Sequence, residues 1–447
     1  SLFCLINLSL LYSKFKKMKN FIKELQWRGM LHDSMPNTEE HLLESIRSAY
    51  IGFDPTSDSL HIGNLVPIML LAHFQRCGHK PIALIGGATG MIGDPSGKSS
   101  ERNLLDEKIL RINQEAIKVQ LSHFLDFTSN TENAAVLVNN YDWMKDFSFL
   151  EFIRDVGKHI SVNYMIAKDS VRNRISSESK EGMSFTEFTY QLVQGYDFLH
   201  LFQNNNTTIQ MGGSDQWGNI TTGTELIRRV GKGKGYAITC PLITKSDGTK
   251  FGKSEGGNIW LDAKRTSPYK FYQYWLNASD EDAEKYIKIF TFLDNEAIAN
   301  LIKAHKELPH LRLLQKKIGE EVTMLVHGKQ AYENAIKASS ILFGKSTASD
   351  LKSLDEQTFL DVFDGVPQAL ISSLDMEKGL DMIAALSAKT SFLSSNGEAR
   401  RALKENAISL NKEKVTAEFI ITKEDLIANK YVLLQRGKKT YYLLVVE

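Results

Sequence analysis

The chain is 447 residues long, and its 54 basic and 53 acidic residues leave a formal net charge of +1. That length allows two or three domains with proper cores, and the near-zero balance excludes a global polyanion-binding field, so any nucleic-acid surface must be local. Cys4, Cys77 and Cys240 lie too far apart for a zinc spacing or a disulfide framework and fit a reducing compartment.

Leu2 to Tyr12 is mostly apolar and is followed by Lys14, Lys16 and Lys17. A signal peptide carries its charge before the apolar run, a bilayer span needs about 20 apolar residues, and a transit peptide is rich in arginine. Residues 1–17 are therefore read as an upstream extension. Met18 is read as the natural start, opening a charged amphipathic helix through Leu25 and Trp27.

From Ser48 to Cys240, strand-like apolar runs alternate with helix-like stretches. Ala49–Phe53, Ile82–Ile85, Ala135–Val138 and Thr208–Met211 read as strands. Asn64–Cys77, Leu121–Phe127 and Ile220–Arg229 read as helices. Such alternation predicts a parallel sheet with helices on both faces and a ligand at the carboxyl ends of the strands. After Trp260 the pattern turns helical, through Tyr286–Phe292, Ile298–His305 and Glu320–Phe343. Ser346–Gln368 is polar and acidic and reads as a linker. A small mixed segment from Leu374 closes the chain with the strands Val432–Leu434 and Tyr441–Val446.

Five constellations carry chemistry. Phe53 to Asn64 places His61 and Gly63 where a strand gives way to a helix, suiting a phosphate oxygen and close backbone approach beside a helix N-terminus. An ordinary helix-start loop would use the same residues without a ligand. Gly86 to Ser99 resembles a P-loop, but Gly93 stands one residue too close to Gly97-Lys98-Ser99, and the dinucleotide spacing fails as well. Its many glycines beside Asp94, Lys98 and Arg102 still point to a ligand. Tyr190, Gln194 and Asp197 fall on one helical face of an otherwise apolar helix, as a solvated stripe or as the wall of a pocket for a small polar-aromatic ligand. A carboxylate there needs a partner. Met211 to Trp217 offers paired glycines before a Ser-Asp helix start, where Ser214 or Asp215 would serve equally as an N-cap. Far downstream, Lys250-Phe251-Gly252-Lys253-Ser254 sits among Gly248, Gly256 and Gly257, a loop expected to be mobile, whose lysines suit a leaving pyrophosphate.

With these motifs in this order the chain resembles bacterial-type tyrosyl-tRNA synthetases, class I aminoacyl-tRNA synthetases. The resemblance runs from Leu25-Gln26-Trp27-Arg28-Gly29 to Arg436–Tyr442 and is most specific at Tyr50–Thr56, Gly86–Lys98, Ser214–Asn219 and Asp247–Ser254. It implies an α/β fold: a Rossmann-like parallel-sheet catalytic domain over residues 18–265, then a helical anticodon-arm domain over 266–345, a linker over 346–373 and a small α+β S4-like RNA-binding domain over 374–447. The implied reaction attaches L-tyrosine to tRNA(Tyr) through a tyrosyl-adenylate. ATP is the substrate that brings Mg²⁺, and no protein-bound metal site is expected. A cytoplasmic homodimer with no membrane contact is implied as well.

Roles follow position by position from the resemblance. Tyr50 and Asp197 look like the groups that grip the phenol, and Asp94, Tyr190 and Gln194 like the holders of the α-amino group, with Gln216 near the substrate carboxylate. Asp54 and Thr56 belong to the nucleotide loop, His61 lies over the phosphates, and Gly63, Asn64, Gly213 and Asp215 match the ATP contacts. Lys98, Arg102, Lys250, Lys253 and Ser254 would surround the pyrophosphate in the transition state. The first signature usually ends in a second histidine; here Asn64 keeps a hydrogen-bond donor without titration. Arg400, Arg401, Arg436, Lys438 and Lys439 could meet tRNA phosphates, or be surface cations on an ordinary hairpin.

A tryptophan enzyme shares the motifs but has no use for a phenol–carboxylate pair. A small-molecule nucleotidyltransferase leaves everything after Trp260 without a purpose. A non-catalytic RNA-binding relative would be expected to have lost the signature lysines, and both Lys250 and Lys253 are present.

Overall fold

The structure, a computed structural model, describes residues 18–94, 106–176, 182–254, 257–341, 347–438 and 440–447. These group into two compact units. One runs to Asp262 and resumes over Leu276–Ile318; the other joins Ala263–Trp275 to Gly319–Glu447. The grouping differs from the expected division, because the helical stretch 266–345 contributes to both units.

The first unit opens with α1 (Phe21–Arg28), which starts at Asn20, whose side chain accepts from the Lys23 N–H, and stops at Gly29 in the left-handed region. Its sheet has six strands: β1 (Asp33–Ser34), β2 (Ser48–Phe53), β3 (Lys80–Ile85), β4 (Val136–Asn139), β5 (Thr207–Gly213) and β6 (Tyr236–Cys240). Their spatial order is β1-β6-β5-β2-β3-β4. The pairs β2–β3, β3–β4, β2–β5 and β5–β6 are parallel, and only the short edge strand β1 runs antiparallel, against β6. The chain leaves β2 toward β4 and later returns to β2's other side with β5. The switch point therefore falls between β2 and β5, and a crevice is expected at their carboxyl ends.

The crossover helices include α2 (Leu65–Arg76), α3 (Glu107–Leu121), α4 (Phe185–Asn205) and α5 (Trp217–Leu226). In α4 a reciprocal cap, Ser184 with Glu187, starts the helix, and Asn206 at φ 51° ends it. Phe198, Leu199 and Leu201 of α4 pack with Tyr50, Ile82, Leu84 and Leu226 in one buried cluster, so α4 lies on the sheet beside the switch point. The expected helix over Leu121–Phe127 lies instead upstream, in α3. Past Leu121 the backbone turns, and Asp126 accepts from the Thr128 and Ser129 N–H groups, a local bond that competes with helix.

Beyond the sheet, α6 (Asp280–Phe290) begins at Ser279, whose hydroxyl accepts from the Asp282 N–H. Its far end is held by a buried cation. Arg28 donates to the carbonyls of Lys288 (2.6 Å), Thr291 (3.0 Å) and Leu293 (2.9 Å) while pairing with Glu24 at 2.8 Å. Burial lowers the Arg28 pKa, against the opposing pull of Glu24.

In the second unit the stretch read as a linker is structured. It carries helices Ala348–Lys352 and Glu356–Val362 and ends in β9 (Gln368–Ile371), with Leu351 and Phe359 fully buried. Composition misread it because a few buried side chains anchor a mostly polar segment. After β7 (Lys253–Ser254) and β8 (Gly257–Asn258) of the first unit, the strands here are β9, β10 (Leu380–Asp381), β11 (Ile408–Leu410), β12 (Glu413–Lys414), β13 (Ile420–Ile421), β14 (Tyr431–Arg436) and β15 (Thr440–Val446). Five of them form a sheet in the order β12-β11-β14-β15-β9. The expected terminal strand pair is the β14–β15 hairpin, and α7 (Asn396–Lys404) packs Ala399, Ala402 and Leu403 into the same core.

Replacing Arg28 with alanine removes three charge-assisted bonds to carbonyls at the end of α6 and should cost about 3 kcal/mol of stability, read by chemical denaturation of the full chain.

Candidate active site

A cavity of about 440 Å³ opens at the switch point. Tyr50 lies within β2, and Asp54, Thr56, His61, Gly63 and Asn64 follow it; Asp94 comes from the loop after β3, and Tyr190, Gln194 and Asp197 from α4. Gly213, Asp215 and Gln216 close the wall beyond β5. All of these line the one cavity. The helical face read from spacing is thus a pocket wall and not a solvated stripe. Lys98, Arg102 and Lys439, and residues 1–17, lie outside the described residues, as does the side chain of Ser254.

At the floor of the cavity Asp197 is 1% exposed. Its two carboxylate oxygens accept from Asn140 Nδ2 (2.9 Å) and Trp143 Nε1 (2.8 Å). Burial outweighs these bonds and lifts its pKa to about 7, with the Asp54 charge adding to the rise. Tyr50, also 1% exposed, has a hydroxyl with no hydrogen-bond partner among the described residues, and burial followed by the Asp197 charge holds its pKa well above the usual phenol range. A buried hydroxyl left unpaired is expensive, and a ligand that brings a partner relieves it. Gln210, one strand over, likewise buries an Oε1 without a partner on the cavity wall.

Above the floor, Tyr190 donates its hydroxyl to Asp54 Oδ2 (2.9 Å), and Thr89 Oγ1 donates to Asp54 Oδ1 (2.6 Å). With its proton given to Asp54, the Tyr190 oxygen is left as an acceptor, suited to an ammonium. Asn140 Nδ2 reaches Thr89 Oγ1 (3.1 Å) as well as Asp197, so the loops after β2, β3 and β4 share one network. Gly86 is required here: a Cβ on it would lie 2.0 Å from Asp54 Oδ1 and 2.4 Å from Thr89 Oγ1. This glycine of the false P-loop makes room for the scaffold rather than for a phosphate. On the opposite wall Gln216 donates to Asp94 (2.8 Å), and Asn219 donates to Gln194 (3.2 Å) and Gln216 (3.3 Å).

At the rim, His61 Nδ1 accepts from the Gly63 N–H (3.0 Å), which leaves the proton of a neutral ring on Nε2. Asn64 Oδ1 accepts from the His61 N–H (3.0 Å), so the departure from a second histidine supplies a reciprocal cap. The downstream motif is joined to this turn by backbone. The Ile62 N–H donates to the Ile259 carbonyl and the Leu261 N–H to the Leu60 carbonyl, both at 2.8 Å. Gly252, at φ +84°, lies so close that a Cβ would stand 2.7 Å from the Gly63 nitrogen. Lys250 and Lys253 flank that contact. The described part of the loop is a hydrogen-bonded hairpin, with Thr244 bridged to Lys250 and the Lys245 ammonium donating to the Lys253 carbonyl (3.0 Å).

Of the cations read as RNA contacts, Arg400 and Arg401 are exposed on α7, and Lys438 is exposed after β14. Arg436 is half-buried and paired with Glu398 at 2.7 Å. Hydrogen bonds from Ser394 and then from Arg436 hold the Glu398 carboxyl down at about 2, so this cation is already engaged by the protein.

Sequence reading missed Asn140, Trp143, Thr89 and Gln210. Thr89 stands inside the Gly86–Ser99 stretch but was not singled out there, the other three stand in no motif, and the only signal for them was the need for a partner at Asp197.

A profile of the class I tRNA synthetases (W and Y) matches residues 44–344, and one of the tyrosine–tRNA ligase SYY-like C-terminal domain matches residues 358–444. The tyrosine–tRNA ligase of Flavobacterium johnsoniae is 66% identical over 431 residues, covering 96% of this chain and 100% of that protein. That of Porphyromonas gingivalis is 62% identical over 429 residues, with the same coverage. A C-terminally truncated mitochondrial tyrosyl-tRNA synthetase from Aspergillus nidulans superposes with a TM-score of 0.65 at 31% identity, covering 74% of this chain and 96% of that one. With the cavity, its buried carboxylate and both signature motifs assembled at the carboxyl ends of the central strands, the chain belongs to the tyrosyl-tRNA synthetases of class I.

Proposed function

We propose that the cavity activates L-tyrosine with ATP and passes it to tRNA(Tyr), the ligase reaction (EC 6.1.1.1) of the family. The single observation that carries the choice of amino acid is the unpaired buried hydroxyl of Tyr50 beside the buried carboxylate of Asp197. A substrate phenol donates to Asp197 and accepts from Tyr50. Phenylalanine would leave both without it, and an indole offers a donor but no acceptor. Tyr190, Asp94 and Gln194 hold the ammonium, Gln216 stands near the carboxylate, and Asp54 acts by orienting Tyr190.

The carboxylate oxygen attacks the α-phosphorus of ATP. A P–O bond forms there while the bond to the β-phosphate bridge breaks, and pyrophosphate leaves with its Mg²⁺, which enters as part of the nucleotide substrate. Gly63, Asn64, Gly213 and Asp215 seat the nucleotide, Thr56 and His61 attend the phosphates, and Lys98, Arg102, Lys250, Lys253 and Ser254 stabilise the departing charge. No proton moves at the rim, so Asn64 serves there as well as a histidine. A terminal ribose hydroxyl of the tRNA then attacks the acyl carbon, and AMP leaves. Catalysis rests on position and charge. Arg400, Arg401, Lys438 and Lys439 of the second unit meet tRNA phosphates, with Arg436 anchoring their hairpin.

The cytoplasm is the proposed location; among the described residues no helix is long and apolar enough to cross a membrane. The assembly is a homodimer. Phe149, Leu150 and Ile153 on one helix and Val162 and Ile166 on another leave large apolar side chains exposed, and a second copy would cover them.

Three outcomes follow. ATP–pyrophosphate exchange should depend on tyrosine and not on tryptophan or phenylalanine; folded protein without tyrosine-dependent exchange would sink the assignment. In the empty site Asp197 keeps its proton below about 7. Phenol donation favours the charged form, so tyrosine affinity, measured by equilibrium dialysis, should weaken as pH falls through that value. Asp197→Asn should bind weakly and lose this dependence. Sedimentation should give the mass of two chains, and Leu150→Glu with Phe149→Glu should give one.

A further inference from the structure

The signature loop rests on a specific seat. Asp282, Tyr286 and Phe290 of α6 are spaced i, i+4 and i+8, so they share one face of the helix. The loop contacts that face at both ends. Asp282 accepts from the Ser246 N–H (2.9 Å) and the Ser246 hydroxyl (3.1 Å). Five residues on, the buried ring of Phe251 stacks on Phe290 (centroids 5.2 Å apart, planes 5° from parallel) and meets Tyr286 edge-on at 5.2 Å. Phe251 also touches the cavity, and its neighbour Gly252 presses on the His61–Gly63 turn. The segment holding Lys250 and Lys253 is thus clamped between a helix and the nucleotide rim, with an aromatic ring as the only large apolar side chain in the motif.

We infer that Phe251 is a positioning residue for adenylation: seated on the Asp282–Tyr286–Phe290 face, it sets where Lys250 and Lys253 stand. The lysines themselves carry long flexible side chains, so their charge reaches one place only if the backbone beneath is fixed. A displacement of about 1 Å at such a site can lower the rate by up to about 10²-fold. α6 is in turn fixed by Arg28, which places the seat on the rigid part of the unit.

The inference rests on the proposed reaction for its kinetic arm and on the fold alone for its second arm. Phe251→Ala, checked for folding by circular dichroism, should lower the maximal tyrosine-dependent exchange rate at least about tenfold. Tyrosine affinity by equilibrium dialysis should stay at the wild-type value. Trypsin should also cut the full chain after Lys250 and Lys253 faster in the variant than in wild type, with no substrate present. Phe251→Leu, which keeps bulk without stacking, should fall between the two, and it serves if the alanine variant does not fold. Wild-type rate and wild-type cleavage in a folded variant overturn the inference, as does an equal loss of tyrosine affinity. If wild type itself shows no exchange, the proposed reaction fails while the cleavage arm still decides whether Phe251 seats the loop.

Discussion

A carboxylate held in an apolar wall is the constraint around which the catalytic unit is organised. Asp197 projects from α4 next to the core residues Phe198 and Leu201 of the same helix, and burial raises its pKa against two hydrogen bonds. Those bonds come from Asn140 and Trp143, just past β4. Asn140 extends the network to Thr89 after β3, Thr89 to Asp54 after β2, and Asp54 back to Tyr190 on α4. The ends of three parallel strands and the helix above them are therefore joined by one line of buried polar contacts. Such a network rigidifies when every member is satisfied. Beside this network the buried Tyr50 hydroxyl has no hydrogen-bond partner among the described residues.

The second organising contact is between backbones. Residues 60–62 and 259–261 exchange hydrogen bonds, and Gly252 and Gly63 approach closer than any side chain would permit. Two strings nearly two hundred residues apart in sequence thus act as one rim. That closeness accounts for the glycine at 252, while at 63 a Cβ would stand 2.7 Å from the His61 ring. It also makes the charge of the loop depend on how α6 is packed, since α6 carries the aromatic pair that receives Phe251.

Much of this was legible in the chain. The parallel-sheet alternation, the α4 face of Tyr190, Gln194 and Asp197, and the two motifs that meet at the rim all follow from local periodicity and from residue types with few uses. Three things were not. Asn140, Trp143, Thr89 and Gln210 are ordinary residues whose meaning comes only from what they face. The glycines of Gly86–Ser99 read as a ligand loop, yet at Gly86 the space is taken by Asp54 and Thr89. The segment read as a linker folds because Leu351 and Phe359 find a core that composition cannot reveal.

The sequence by itself determined most of the catalytic sheet, the class of fold and the residue types at the rim, because periodicity, caps and signature side chains act over a few residues. Tertiary structure decided which carboxylate is desolvated, which hydroxyl is left waiting and which cation is already spent, as Arg436 is on Glu398. Those outcomes depend on burial and on partners brought from distant strands. Desolvation is a property of an assembled site, so the functional state of Asp197 and Tyr50 exists only in the folded chain.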